Sequence, residues 1–332
     1  MADTGVANRP DPLSREVQFR HGALFFPYGF PVRIHTNHPL ILRAAEDSWS
    51  LHKQQYQEDR SLEVNVGILY GEENGDLPLS PPVVRAMRHL LTITGNARNS
   101  AICDFETGYA HAWLTTSMLA DLPALRFFYL DAMVYSLVCE RYLTGIHASC
   151  VALHGRGVLL CGDSQAGKST LAYACARRGF TYVSDDGSFL LRSASDRMVI
   201  GNPYSIRFRP SAVKLFPELS EFEPALRANG KMSLDIPTSR LPIAQVSTQS
   251  NVCAVLFLDR RDNAEVEVLP FSREDAMQRF EAVLVYGRDA SIAEQRVSLR
   301  RVLEEKVLRM IYSDLASAVD AIESVLREAP CI

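Results

Sequence analysis

The sequence predicts an α/β fold organised around a phosphate-binding loop. Residues 162–170 read Gly-Asp-Ser-Gln-Ala-Gly-Lys-Ser-Thr, which matches the pattern G-x-x-x-x-G-K-[ST]. The apolar run 157–161 precedes this loop, and helix-forming residues follow it over 169–179, with arginines in the last turn and a terminal glycine. Because the motif functions only between a strand and a helix, these flanks favour a real phosphate loop over an ordinary glycine-rich turn.

The region ahead of the loop is predicted to be an α+β domain. Residues 1–15 are polar and proline-containing, so we expect a flexible N-terminus. Strand-like runs at 22–26 and 64–70 lie on either side of a helical pattern over 39–49. The segment 122–143 has apolar residues on nearly all faces, which predicts a buried helix.

The predicted boundaries are 1–15 for the terminus, 16–143 for an α+β domain of unassigned role, and 144–330 for the domain that carries the loop. In this last domain, two apolar runs across a Gly-containing turn predict a β-hairpin. The predicted strands are 148–153, 158–161, 180–184, 188–192, 197–200, 204–208 and 252–258. The predicted helices, from their periodic apolar positions, are 272–286, 290–312 and 313–327.

Composition restricts the class of protein. Apolar residues make up 47% and charged residues 22% of the 332 residues, which is typical of a globular chain. The net charge of −4 argues against a nucleic-acid partner. Seven cysteines without a C-x-x-C pair favour a reducing compartment over a disulfide framework. We find no signal peptide and no uninterrupted apolar run near the ~18 residues of a membrane helix, so a cytoplasmic protein without a membrane partner is expected.

The loop alone predicts only a nucleotide or phosphate ligand. Two acidic residues further along the chain indicate the reaction. Asp185 and Asp186 directly follow the predicted strand 180–184, at an edge where bound phosphates are expected. Phosphoryl transfer needs one carboxylate for Mg²⁺ and another to accept the proton of the incoming hydroxyl. Asp-Asp-Gly by itself is more often a turn, and His147 by itself is an ordinary polar residue at a strand end. The nearby phosphate loop favours a functional interpretation of the carboxylates.

Taken in order, His147, the hairpin, the G-D-S-x-x-G-K-S loop, the helix ending in Arg-Gly and the Asp185–Asp186 pair resemble the catalytic domain of the HPr kinase/phosphorylase family. The resemblance is specific over 147–190. It implies a P-loop kinase domain related to phosphoenolpyruvate carboxykinase, ATP and Mg²⁺ as cofactors, and phosphorylation of a seryl hydroxyl. That family forms hexamers, which implies a homo-oligomer here.

The resemblance also implies residue roles. Asp185 would be the acid/base, His147 would contact the phosphoryl site, and Lys168 would neutralise the transferred charge. Ser169 and Asp186 would bind the metal. The nucleotide would be held by the loop positions Gly162, Asp163, Ser164, Gln165, Ala166, Gly167, Lys168, Ser169 and Thr170.

Several positions differ from the family pattern. Thr170 stands where the bifunctional members have Glu, and Gln165 replaces a loop glycine. The family's E-I-R-G signature corresponds to residues 205–208, where Ser205 replaces the Glu and Arg207 is retained as a catalytic, charge-stabilising residue. These differences favour transfer over its reversal. Similar enzymes in peptide-tailoring pathways phosphorylate serine on a peptide, so a peptide or protein acceptor is expected.

Alternatives remain at the level of sequence. Arg209, Lys214 and the polar segment 229–231 are candidates for acceptor or lid contacts. Asp259 follows the apolar run 252–258 and competes with the Asp pair as a metal ligand, or else lies in a turn. A small-molecule kinase and a non-catalytic ATP-binding regulator are the competing functions.

Overall fold

The computed structural model describes residues 17–70, 81–193, 197–282, 284 and 287–328. The predicted terminus 1–15 lies outside these residues. The chain divides into two compact units: one comprises 1–85 and 90–135, and the other comprises 86–89 and 136–332.

The first unit is a seven-stranded mixed sheet with helices. Its strands have the order β1-β2-β3-β7-β6-β5-β4; β3 pairs in parallel with β2 and β7, and β6 is antiparallel to β5 and β7. The strands are β1 (His21–Phe25), β2 (Val32–Thr36), β3 (Leu62–Leu69), β4 (Val83–Met87), β5 (Leu90–Thr94), β6 (Ser100–Asp104) and β7 (Tyr109–Thr115). The helices are α1 (Pro39–Trp49), α2 (Leu122–Leu125) and α3 (Asp131–Arg141), and the last residues of α3 belong to the second unit.

The helix predicted over 39–49 is confirmed as α1. Its start has a clear local cause, because Pro39 occupies the first turn and the His38 ring accepts a hydrogen bond from the Leu40 amide at 3.3 Å. Its apolar face is buried through Ile41 and Trp49, among others.

The single helix predicted over 122–143 is wrong in its extent. A π-helical turn over Arg126–Leu130 separates α2 from α3, and Leu143 begins a strand. Apolar residues resume at Tyr142 and Leu143 after only two charged residues, so periodicity alone does not distinguish the end of a buried helix from the buried strand that follows it. By length and composition, Leu122–Arg141 is a candidate membrane span, contrary to our expectation that no segment qualifies. A core helix has the same composition, and Tyr129 and Leu130 are fully buried.

Besides the end of α3, the described residues of the second unit form a ten-stranded sheet, a three-stranded sheet and four α-helices. The ten strands include the parallel series β10, β18 and β20, flanked on the β10 side by antiparallel β9. The strands are β8 (Leu143–Ile146), β9 (Ala148–Leu153), β10 (Arg156–Cys161), β11 (Thr181–Ser184), β12 (Ser188–Leu191), β13 (Met198–Gly201), β14 (Ser205–Phe208), β15 (Ala225–Leu226), β16 (Met232–Pro237), β17 (Gln245–Val246), β18 (Gln249–Arg260), β19 (Glu267–Pro270) and β20 (Lys306–Tyr312). The helices are α4 (Lys168–Arg177), α5 (Arg273–Glu281), α6 (Asp289–Val302) and α7 (Leu315–Glu328).

The core of this unit lies on both faces of the large sheet. Leu160 of β10 belongs to the cluster that includes α4 and α7, whereas Leu159 belongs to the cluster that includes α5 and α6. This alternation along one strand is what a sheet covered by helices on both faces requires. The sheet is therefore buried on two sides, and ligands can approach it at its edges.

The helix predicted over 290–312 is wrong in its second half. Helix α6 ends at Val302, and Lys306–Tyr312 forms β20, parallel to β18. Val307 and Met310 are buried three positions apart, which is also a helical spacing. Pairing with a strand some fifty residues earlier in the chain decides the conformation, and such pairing leaves no local signal.

Five of the described cysteines are free. Cys253, buried in β18, is disulfide-bonded, which the reducing compartment expected from the cysteine spacing does not favour.

Candidate functional site

The glycine-rich loop lies between β10 and α4, so the expected strand–loop–helix order is confirmed. Gly162–Gly167 form the loop, and Lys168–Thr170 form the first turn of α4. Gly167 precedes the helix with φ of 91°, in the left-handed region that favours glycine. A Cβ atom at this position would also collide with the Tyr312 hydroxyl. The last loop position therefore requires glycine for two independent reasons.

Tyr312 supports the loop from the end of β20. Its hydroxyl donates to the Ala166 carbonyl at 2.8 Å, and burial raises the pKa of Tyr312 to about 12, which keeps the hydroxyl protonated as a donor. The sequence did not indicate Tyr312 as a site residue, because its pattern predicted a helix over 290–312. Only the pairing of β20 with β18 brings the side chain to the loop.

Two cations contact the loop. Lys168 Nζ donates to the carbonyls of Gly162 and Asp163 at 2.9 and 3.3 Å. Arg209 Nη2 donates to Ser164 Oγ at 3.3 Å. Lys168 thus lies against the loop carbonyls, and its predicted contact with phosphate oxygens stays a prediction. Arg209 reaches the loop from outside it.

Asp185 follows β11 and is buried, with 7% of its surface exposed. Its Oδ2 accepts the Arg207 main-chain amide at 2.8 Å, whereas no donor among the described residues reaches Oδ1. Burial raises the pKa of Asp185 to about 6, and the nearby Ser169 hydroxyl and the Arg207 amide partly oppose that shift. The carboxylate therefore has one fixed oxygen and one oxygen without a protein donor, close to Ser169.

Serine hydroxyls hold the backbone that carries the two aspartates. Ser149 Oγ donates to the Asp185 carbonyl. Ser184 Oγ lies 2.7 Å from Ser188 Oγ, which in turn donates to the Ala148 carbonyl at 3.0 Å. These buried contacts connect β9, β11 and β12 at the point where the carboxylates emerge, so the carboxylates are attached to a rigid support.

Asp186 and His147 lie together at the surface. His147 Nδ1 lies 3.3 Å from Asp186 Oδ1, and the two side chains are 48% and 54% exposed. The structure therefore brings together two of the predicted site residues that are far apart in sequence.

The side chain of Arg207, for which the sequence predicts a catalytic role, is ion-paired. Its Nε lies 3.2 Å from Asp235 Oδ2, and the two residues are directly opposed on β14 and β16. Arg207 thus contacts Asp185 through its main chain and Asp235 through its guanidinium. Asp235 was not singled out in our sequence analysis, because only strand pairing places it here.

The carboxylate of Asp259 is bound by two arginines. Its Oδ2 accepts two hydrogen bonds from Arg261, at 2.8 and 3.1 Å, and Arg309 binds the same oxygen. Hydrogen bonds from Arg261 and then Arg309 hold the pKa of Asp259 below its ordinary value. Two guanidinium groups at one carboxylate disfavour Asp259 as a metal ligand.

Candidate metal ligands near the loop are few. No group of three His, Cys, Asp or Glu side chains suited to a metal occurs in the part of the chain that the structure describes. Mg²⁺ does not need such a group, because it typically takes one or two carboxylates together with phosphate oxygens and water. Ser169 and Asp186, the two predicted metal ligands, have oxygen atoms of this kind.

Comparisons with known proteins show likeness only to solved structures. No family model matches this chain, and no curated protein matches it by sequence. Among solved structures, the HPr(Ser) kinase/phosphatase from Coxiella burnetii is similar over 55% of this chain and 93% of its own, with 16% identity and a TM-score of 0.29. The proposals below therefore depend on the side-chain geometry.

Proposed function

We propose that this protein is an ATP-dependent phosphotransferase that phosphorylates a hydroxyl group, with serine of a peptide or protein as the acceptor. The observation that carries the proposal is Asp185. It is a buried carboxylate with one oxygen lacking a protein donor, close to Ser169 in the first turn of the helix that follows a phosphate-loop motif.

The loop is suited to the phosphates of ATP. Its left-handed residues Gln165 and Gly167 turn the backbone so that amide groups can face an anion, and α4 begins directly behind them. The Lys168 ammonium group donates to loop carbonyls, and a phosphate oxygen bound in the loop would be a competing acceptor for it. The order of loop, lysine and helix N-terminus supports binding of a triphosphate.

The acidic residues are suited to Mg²⁺. Ser169 and Asp186 are the ligands that the family resemblance implies, and both supply oxygen atoms. Oxygen ligands of this kind fit a hard divalent cation. Bound there, Mg²⁺ would neutralise negative charge on the β- and γ-phosphates.

The proposed transfer assigns one role to each side chain. The Asp185 carboxylate accepts the proton of the acceptor hydroxyl, whose oxygen forms a bond to the γ-phosphorus. The bond from that phosphorus to the β–γ bridging oxygen breaks, and ADP leaves with the electron pair. Asp186 orients His147 through Nδ1, which leaves Nε2 for contact with the phosphoryl group.

Incubation with labelled ATP and candidate seryl peptides tests the proposal. Asp185→Asn and Lys168→Ala should each lower phosphate transfer by about 100-fold or more, because positioning and charge stabilisation supply most of the rate. Asp262→Asn removes an exposed carboxylate from a turn beyond β18 and is the matched control. Unchanged transfer by Asp185→Asn would contradict the site.

Two other outcomes distinguish the competing functions. Transfer only to a free amino acid or sugar would replace the peptide acceptor with a small molecule. Tight ATP binding without transfer to any acceptor would instead indicate a non-catalytic regulator.

A further inference from the structure

Arg209 is the cation that reaches the phosphate loop from a different part of the chain. It directly follows β14, and its backbone is extended, with φ of −72° and ψ of 151°, as is typical of a residue before proline. Phe208 directly before it and Ala212 three residues after it are buried, so the main chain at Arg209 is held in place while the residue itself is exposed. The guanidinium is therefore positioned by the fold and still free to turn.

Arg207 and Arg209 lie two residues apart but have different partners. Arg207 is ion-paired with Asp235 at 3.2 Å. Arg209 donates to the neutral hydroxyl of Ser164, and no carboxylate of the described residues forms an ion pair with it. The Arg209 guanidinium therefore lies at a phosphate-loop motif without a carboxylate partner among the described residues. An anionic ligand bound at the loop would supply the missing negative charge.

The charges at the loop also favour an anionic ligand. Lys168 donates to two loop carbonyls, so its positive charge is not neutralised by a carboxylate among those contacts. Together with Arg209, it places two positive charges at one short loop, whose own residues include a single carboxylate, Asp163. A ligand with several negative charges, such as a triphosphate, would balance them.

We propose that Arg209 is a catalytic residue that leaves Ser164 and contacts the terminal phosphate of bound ATP. This inference rests on the proposed function. A guanidinium can contact two phosphate oxygens at once, and in phosphoryl transfer it stabilises the charge that develops on the transferred group. The Ser164 contact is a single exposed hydrogen bond to a neutral group, so little is lost when it is exchanged. The exchange needs side-chain rotation only.

Calorimetric titration with Mg²⁺ and either a non-hydrolysable ATP analogue or ADP tests this inference. Arg209→Ala should weaken binding of the ATP analogue by about tenfold, while ADP affinity changes less than about twofold, because ADP lacks the phosphate concerned. Transfer to an acceptor should fall by at least about 100-fold. Arg209→Lys should be intermediate, since an ammonium keeps the charge but loses the planar fork.

Arg43→Ala is the control, because it removes an exposed arginine from α1 in the other unit and should change neither nucleotide affinity nor transfer. Equal losses for the ATP analogue and ADP, or no loss in Arg209→Ala, would overturn the role of Arg209. If the wild-type protein binds neither nucleotide, the proposed function itself is contradicted, and the role of Arg209 is overturned with it. The two failures are thus distinguished by the wild-type titration.

Discussion

The main-chain amide of Arg207 donates to Asp185 Oδ2 at 2.8 Å, while the Arg207 side chain pairs with Asp235 on the neighbouring strand. The contact with the proposed base therefore does not require the arginine side chain. Replacing the Arg207 side chain should therefore leave the hydrogen bond between its main-chain amide and Asp185 in place.

Arg207→Ala should lower phosphate transfer by less than about tenfold, whereas Arg209→Ala should lower it by at least about 100-fold. The alanine variant keeps the amide that holds Asp185, and it removes an exposed ion pair that contributes at most about 1 kcal/mol. Steady-state kinetics on both variants, with chemical denaturation to confirm their stability, checks this. A larger loss of phosphate transfer in Arg207→Ala than in Arg209→Ala would indicate that Arg207, rather than Arg209, stabilises the transferred charge.

Asp185→Asn should make the nucleotide-free, metal-free protein more stable at neutral pH even though it abolishes activity. The pKa of Asp185 in the folded protein, about 6, lies above its ordinary value of 3.8, so the folded state binds this proton more tightly than the unfolded state. The wild-type free energy of unfolding therefore falls as the pH rises from about 4 to about 6. Above that range the asparagine variant should be more stable by on the order of 2–3 kcal/mol.

The measurement is urea denaturation at several pH values between 3.5 and 8, where the stability advantage should shrink toward zero at the acid end. Asp262→Asn, which removes an exposed carboxylate, should show no such pH-dependent advantage. An advantage of Asp185→Asn that is constant across this range would show that burial of the charge is not its cause.

Gly167→Ala should destabilise the protein, because the new Cβ collides with the Tyr312 hydroxyl and φ of 91° is strained for alanine. We expect a loss of about 2–3 kcal/mol from the two effects together. Tyr312→Phe alone should cost about 1 kcal/mol, since it removes the hydrogen bond to the Ala166 carbonyl. The double variant should lose less than the sum, because phenylalanine relieves the collision. Strict additivity in denaturation experiments would contradict the contact.

Ser169→Ala should raise the Mg²⁺ concentration needed for half-maximal transfer by about tenfold or more, because it removes an implied metal ligand. Asp259→Ala should leave that requirement unchanged, since its carboxylate is occupied by Arg261 and Arg309. Titration of activity with Mg²⁺ at saturating ATP measures both. A higher Mg²⁺ requirement in Asp259→Ala alone would instead indicate that the metal binds at Asp259, at the end of β18.

Much of the loop region could be predicted from sequence because its determinants are local. The apolar strand, the glycine at the left-handed position and the helix formers after Lys168 lie within about twenty consecutive residues, and each acts on its own backbone. The hairpin before the loop is equally local, since His154 and Gly155 both adopt the positive φ that a two-residue turn requires. Asp185 and Asp186 follow the next strand along the chain, so their position was also predictable.

The sequence by itself thus determined the phosphate-loop motif, its flanking strand and helix, and the acidic pair after β11. Tertiary structure alone decided that Lys306–Tyr312 is a strand, that Tyr312 supports the loop, and that Arg209 rather than the Arg207 side chain reaches Ser164. These features depend on strand pairing between residues far apart in sequence. A local pattern of apolar and polar residues contains no information about which distant segment will supply the partner.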